Sequence, residues 1–181
     1  MEERKMPNGF AMRKTTLEKA LSLKSGVEVT GWRMGRPYMD NDYKGEANQV
    51  KGGTVIVENP LFYPSQHRDH ETMKLIVQLS NGGEVPVMVK RFRNDEEPQD
   101  RIKFVETHIK KFRAAGVTPM EHMAGDNNLL VHKYEHGRRL EPDEVLAVWL
   151  KLEDQGIDTT HKTIQQGHWR MTEHGVVFIP A

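Results

Sequence analysis

Two apolar runs, Lys74–Leu79 and Val85–Phe92, are joined through Asn81-Gly82-Gly83. Runs of this length, rich in Val and Ile and separated by an Asn-Gly turn, predict a β-hairpin, so the chain must build a sheet and cover it. Pro86 has no N–H, which puts the start of the second strand where the ladder needs no donor. Ile102, Val105, Ile109 and Phe112 then recur as one helical stripe. Pro98 suits the first turn of that helix and Gly116 its end. A strand follows near 129–134, with a turn at His136-Gly137. Pro142 opens a second helix with Val145, Val148, Trp149 and Leu152 on one face and Leu146 and Leu150 beside it. A helix apolar around its girth is expected to be central. Val176–Ile179 reads as a last strand.

Upstream the pattern is weaker. Thr15 and Glu18 have capping-box spacing, which predicts a short helix over about 16–24 ended by Gly26. Residues 27–32 alternate like a strand, 33–53 and 59–72 read as long polar loops, and Thr54–Glu58 is a strand. The expected fold is α+β: an antiparallel sheet with strands near 54–58, 74–79, 85–92 and 129–134, and two main helices near 98–115 and 142–155. The expected division is an irregular extension over 1–53, carrying the short helix, and a domain over 54–181.

The balance of 26 basic against 26 acidic residues argues against a dedicated nucleic-acid coat or a membrane-surface protein. The absence of cysteine removes disulfides and thiolate metal sites. No window approaches the roughly 20 apolar residues of a membrane helix, and the expectation is a cytoplasmic protein.

Lys90 ends an apolar strand, and Glu106 lies on the next helix about 40° from Ile102, at the margin of the stripe. A Glu there can face a sheet packed on that stripe and reach its Lys. In order and spacing the pair resembles the strand Lys and helix Glu that hold ATP phosphates in protein kinases. Residues 129–140 resemble the kinase strand leading into the hinge, and helix 142–155 the long helix before the catalytic loop. His161 to His168 matches the frame of that loop, and 171–179 the strand pair leading to the DFG motif. The resemblance covers 74–181, a truncated N-lobe plus the start of a C-lobe. It implies that the catalytic Asp position is Thr163, the metal-binding Asn position His168 and the DFG Asp position Pro180. A hydroxyl is no carboxylate base, and imidazole is a poor Mg²⁺ ligand. Lys90, Glu106 and His161 alone persist, so the implied protein is a pseudokinase without phosphoryl transfer, metal or cofactor, whose Lys90 and Glu106 are a vestigial nucleotide site.

Other residues carry weaker signals. His67 and His70, with Glu71, have metal-like spacing in a polar loop, where a solvated pair is the simpler reading. His132 and Tyr134 share one strand face, and His136 follows. Basic residues around Phe92 and Phe112, with Arg138 and Arg139, suit nucleic acid, but both Phe residues fall on apolar stripes, which puts the basic residues on the solvent side. Trp32, Tyr38, Tyr43, Phe62 and Tyr63 lie in or near the long loops, where aromatics anchor protein interfaces. The expected function is therefore a non-catalytic protein-binding regulator, of a kind that would suit a phage or mobile-element modulator of a host protein. The alternatives are a nucleic-acid-binding accessory protein and a structural subunit of a larger assembly.

Overall fold

The hairpin forms as β6 (His70–Leu79) and β7 (Glu84–Phe92), paired antiparallel from His70↔Phe92 to Gln78↔Glu84. The computed structural model describes residues 9–37, 39, 41–64, 70–120 and 122–180. They form an α+β protein of antiparallel sheets and four helices, with one parallel strand pair, and divide into two units.

The first unit contains residues 1–95 and 122–134. Its sheet runs β3-β2-β6-β7-β10-β9, where β2 is Val29–Met34, β3 Asn48–Gln49, β9 Met123–Asp126 and β10 Leu129–Lys133. A short strand β5 (Tyr63–Pro64) lies along the first part of β6. A separate pair joins β1 (Phe10–Arg13) to β4 (Thr54–Val57). Side chains alternate along a strand, so Met73, Leu75 and Val77 on β6, Val87 and Val89 on β7 and Val131 on β10 share one face. There they pack with Trp32, Val55, Val57 and with Leu17 and Ala20 of helix α1 (Lys14–Leu21). The other face of β6 is buried as well, which is why the strand reads as a near-continuous apolar run.

The segment expected to be an irregular extension thus carries β1, α1, β2 and β3, all integral to the first unit. Nor does the capping box form. The Glu18 carboxylate accepts from the backbone N–H of Val29 at 2.9 Å. The start of α1 is capped instead by Asp126, whose Oδ2 accepts from the N–H of Arg13 (2.9 Å) and the hydroxyl of Thr16 (3.0 Å). A carboxylate at a helix N-terminus satisfies orphan donors and meets the positive end of the dipole.

The second unit contains residues 96–121 and 135–181. Its sheet runs β11-β12-β13-β8: β8 (Val117–Pro119) is parallel to β13 (Gly175–Ile179), and β11 (Arg138–Arg139) and β12 (His168–Thr172) complete it antiparallel. Helix α2 (Glu96–Ala114) packs on β8, and its Phe112 stacks on Phe178 with centroids 5.2 Å apart. Its apolar stripe therefore serves this sheet. Gly167 gives way to Phe178: a Cβ there would fall 2.6 Å from the ring's Cζ and nearer still to Cε1. Helix α3 (Pro142–Asp154) starts with Pro at its first turn and a capping box between Glu141 and Glu144. It is not central. Only Val148 and Leu152 are buried, while Leu146 and Leu150 are 58 % and 55 % exposed. A one-turn helix, α4 (Lys162–Gln165), follows.

Candidate functional site

The second face of the first unit's sheet is unusually polar. Register places Thr72, Lys90 and Leu130 in one row, Lys74, Met88 and His132 in the next, and His70 opposite Phe92 in a third. Lys90 is 2 % exposed, not on the solvent side of its strand as expected for a basic cluster. His70 stacks on Phe92 with centroids 5.0 Å apart. His132 is fully enclosed: its Nδ1 lies 2.8 Å from the Lys133 carbonyl, while Nε2 is buried with no hydrogen-bond partner among the described residues. Burial, the nearby Lys90 charge and His70 hold its pKa well below the usual imidazole value, against the opposing hydrogen bond to Lys133.

Lys90 thus lies buried on β7 in the first unit, and Glu106 lies on the exposed side of α2 in the second. The buried side of α2 carries Pro98, Arg101, Val105 and Phe112. The helix stripe flanked by Glu106 packs on β8 and β13, whereas α1 packs on β9 and β10 of the sheet that holds Lys90.

The segment matched to a catalytic loop has roles internal to the second unit. His161 is the N-cap of α4, its Nδ1 accepting from the Thr163 N–H at 3.1 Å. Its ring stacks on Phe104 with centroids 4.3 Å apart. Burial and then the Arg101 charge push its pKa down, outweighing the opposite pull of Asp158. Thr163 is fully buried, and its hydroxyl accepts from Arg101 Nη1 at 3.3 Å. The other guanidinium nitrogen donates to Gln166 Oε1 at 2.5 Å and pairs with Glu97 at 3.4 Å. Glu97 also pairs with Lys162. His168 opens β12 opposite Ile179, and Pro180 is buried just beyond β13.

A feature of the first unit that sequence reasoning missed is centred on Lys74. Its side chain is 1 % exposed, in mid-strand. The ammonium pairs with Asp42 at 3.1 Å, donates to the Met39 carbonyl at 2.6 Å and lies 4.1 Å from the centroid of the Tyr134 ring. The same Asp42 oxygen, Oδ1, also accepts from the Arg36 N–H at 3.0 Å. Gly35 makes this closeness possible: a Cβ there would lie 2.8 Å from Asp42 Oδ1 and 3.0 Å from Lys74 Cγ. The Arg36 guanidinium stacks over Tyr43 at 4.3 Å, and Arg33 binds the Tyr43 carbonyl and Glu84. A buried cation thus clasps a polar loop to the sheet. The one sequence sign was a lysine opening an apolar run.

The clasped loop exposes Met39 (52 %) and Tyr43 (36 %). Farther along, Ile56, Leu61 and Tyr63 are exposed as well. Tyr43 and Tyr63 thus stand at the surface. Phe62 is half-buried, against Phe10 at 5.6 Å and beneath the Arg91 guanidinium at 4.2 Å. Trp32 is 5 % exposed and belongs to the core, so it is not a surface anchor. Tyr38 and His67 lie outside the described residues. His70, read as half of a loop pair, belongs to β6, and Glu71 pairs with Arg91 at 2.8 Å. Among the described residues there is no group of three or more His, Asp or Glu placed to hold a metal, and no helix is long and apolar enough to cross a membrane.

These features define an α+β chain with a buried basic sheet face and a clasped, apolar-tipped loop. Compared with known protein families, curated proteins and solved structures, the chain matches none.

Proposed function

We propose that this chain is a non-catalytic, protein-binding regulator, with its strand and helix order retained from a degenerate kinase-like frame. The observation that carries the reading is the Lys74–Asp42 clasp. It holds Met39 and Asp42 against the sheet while the Met39 and Tyr43 side chains stay exposed. Burying a lysine costs desolvation that its partners only partly offset. A loop fixed in this way presents apolar side chains with little ordering entropy left to lose on contact, which favours binding. Exposed Tyr and Met are side chains enriched at interface cores. In the second unit, Thr163 is tied to Arg101 and His161 to the start of α4. Those contacts give the loop segment a folding role.

The test is site-specific photo-crosslinking in cells of origin, with the reactive group at Met39, Tyr43 or Tyr63, and at Lys110 on the exposed side of α2 as reference. The reading expects a discrete adduct with one other protein from at least one of the first three positions and none from Lys110. Absence of any adduct from all three overturns it. A second reading, nucleic-acid binding, is favoured only by the exposed Lys103, Lys110 and Arg113 on α2. It expects DNA or RNA affinity that collapses as salt is raised.

A further inference from the structure

Strands β3 and β4 are consecutive and meet at their near ends through the isolated antiparallel bridge Lys51↔Thr54. A continued hairpin would pair Gln49 with Ile56. Instead the two arms splay apart. Among the described strands, β3 pairs only with β2, at Gly31↔Gln49 and Trp32↔Asn48, and β4 only with β1, from Phe10↔Val57 to Arg13↔Thr54. Between the arms lies a cavity of about 610 Å³, lined on one side by Ala47, Asn48 and Gln49 and on the other by Thr54, Ile56 and Glu58, with Trp32 and Met34 also in its lining.

Two properties of this fork specify an occupant. Alternate main-chain N–H and C=O groups of a strand point to either side, so β3 and β4 each keep an edge that no described strand pairs. Only another extended chain satisfies such an edge along its length. The lining is also graded in charge: Lys51 is at the closed end, Glu58 at the mouth, and the Ile56 side chain, 58 % exposed, lies between. β3 offers two strand residues, Asn48–Gln49, and β4 four, Thr54–Val57, or roughly 7 Å and 13 Å of strand.

We propose that the fork receives an extended segment of a partner protein, whose main chain pairs with the open edges of β3 and β4. An apolar side chain of the segment seats against Ile56 and Met34, an acidic residue reaches Lys51 at the closed end, and a basic residue meets Glu58 at the mouth. The proposal rests on the protein-binding reading and names a second contact place besides the clasped loop.

The test titrates the ¹⁵N-labelled full chain with a pool of acetylated, amidated seven-residue peptides that carry Val, Ile or Thr at alternate positions, an acidic residue at one end and a basic residue at the other. The tightest peptide is then compared with its alternately N-methylated form, which keeps the side chains and loses half of the ladder donors. The proposal expects shifts concentrated in the amides of residues 47–58, at least tenfold weaker binding after N-methylation, and at least tenfold weaker binding to Ile56→Lys, with the thermal midpoint of that variant unchanged because the site is exposed. No shifts in 47–58 from any peptide, or equal binding by the N-methylated form, overturns it. Loss of adducts at Met39, Tyr43 and Tyr63 with peptide binding intact would sink the clasped-loop reading alone. The reverse result would sink only the fork.

Discussion

Replacing Asp42 with Asn removes one charge and little else. The amide oxygen can still accept from the Arg36 N–H, now at 3.0 Å. The Lys74 ammonium, however, is left 1 % exposed without its carboxylate partner, beside neutral groups such as the Met39 carbonyl and the Tyr134 ring. Removing one partner of a buried ion pair costs about 3–5 kcal/mol, because the remaining charge stays out of water. Asp42 is itself 16 % exposed, so some water reaches the pair and the lower end of that range, about 3 kcal/mol, applies. For a chain of this length that is a fall of roughly 6–12 °C in Tm. The informative partner is Lys74→Met, which keeps the stem volume and discards the charge. In the Asp42→Asn background it should restore most of the loss, since a buried pair replaced by apolar groups is often neutral. Urea unfolding of the two single variants, the double variant and the wild type closes the cycle. A single Asp42→Asn loss below about 0.5 kcal/mol, the level of an ordinary surface change, or a double variant no better than the single, would refute the claim that a buried cation holds the loop.

Asp126→Asn should weaken the start of α1 by about 1 kcal/mol, the usual worth of a helix cap, read by urea unfolding. Burial pulls the Asp126 carboxyl upward, but hydrogen bonds from the Arg13 N–H, the Thr16 hydroxyl and the Arg13 guanidinium outweigh it, and its pKa is net lowered. Its contribution is therefore full above the unfolded carboxylate value near 3.9 and is lost as pH falls through the folded value; the variant should show a shallower acid limb. His132 works at higher pH. Its folded pKa lies well below the unfolded value near 6.5, so stability falls as pH drops below that value; His132→Phe should flatten the pH 5.5–7.5 portion of a Tm series. Gly167→Ala sets a methyl against Phe178, which is already stacked on Phe112 and packed at a tilt against Trp169; overpacking of this kind costs about 1–3 kcal/mol, and a Tm within one degree of wild type would contradict it.

What the sequence disclosed was set by how local the cause is. The β6–β7 hairpin was legible because turn and strands are contiguous, and α3 because Pro142 stands at its start beside its apolar residues. The short strands β1, β3, β5, β8, β9 and β11 were not. β9 is Met-Ala-Gly-Asp, a poor strand former by composition, and it exists because β10 pairs with it. The cap of α1 was assigned to the wrong side chain because the true one, Asp126, is over a hundred residues away. α3 misled in the other direction. Its apolar residues surround the helix, yet Leu146 and Leu150 remain exposed, and nothing in a single sequence tells a covered leucine from an open one.

The lysines make the same point about function. Both Lys74 and Lys90 sit at the edges of apolar runs, where a lysine ordinarily marks the end of burial or an exposed flank. Sequence order favoured Lys90 because a Glu follows at a suggestive distance, and passed over Lys74 because its acid, Asp42, lies upstream in a loop. Lys74 has an acid at 3.1 Å, a carbonyl at 2.6 Å and a ring at 4.1 Å. A lysine inside a sheet persists only where its partners are fixed. The requirement therefore runs outward from the strand: Lys74 needs Asp42, Asp42 needs Gly35 to come close, and the loop that carries both is held with Met39 and Tyr43 exposed. The electrostatics of the core thereby dictate which side chains the surface offers.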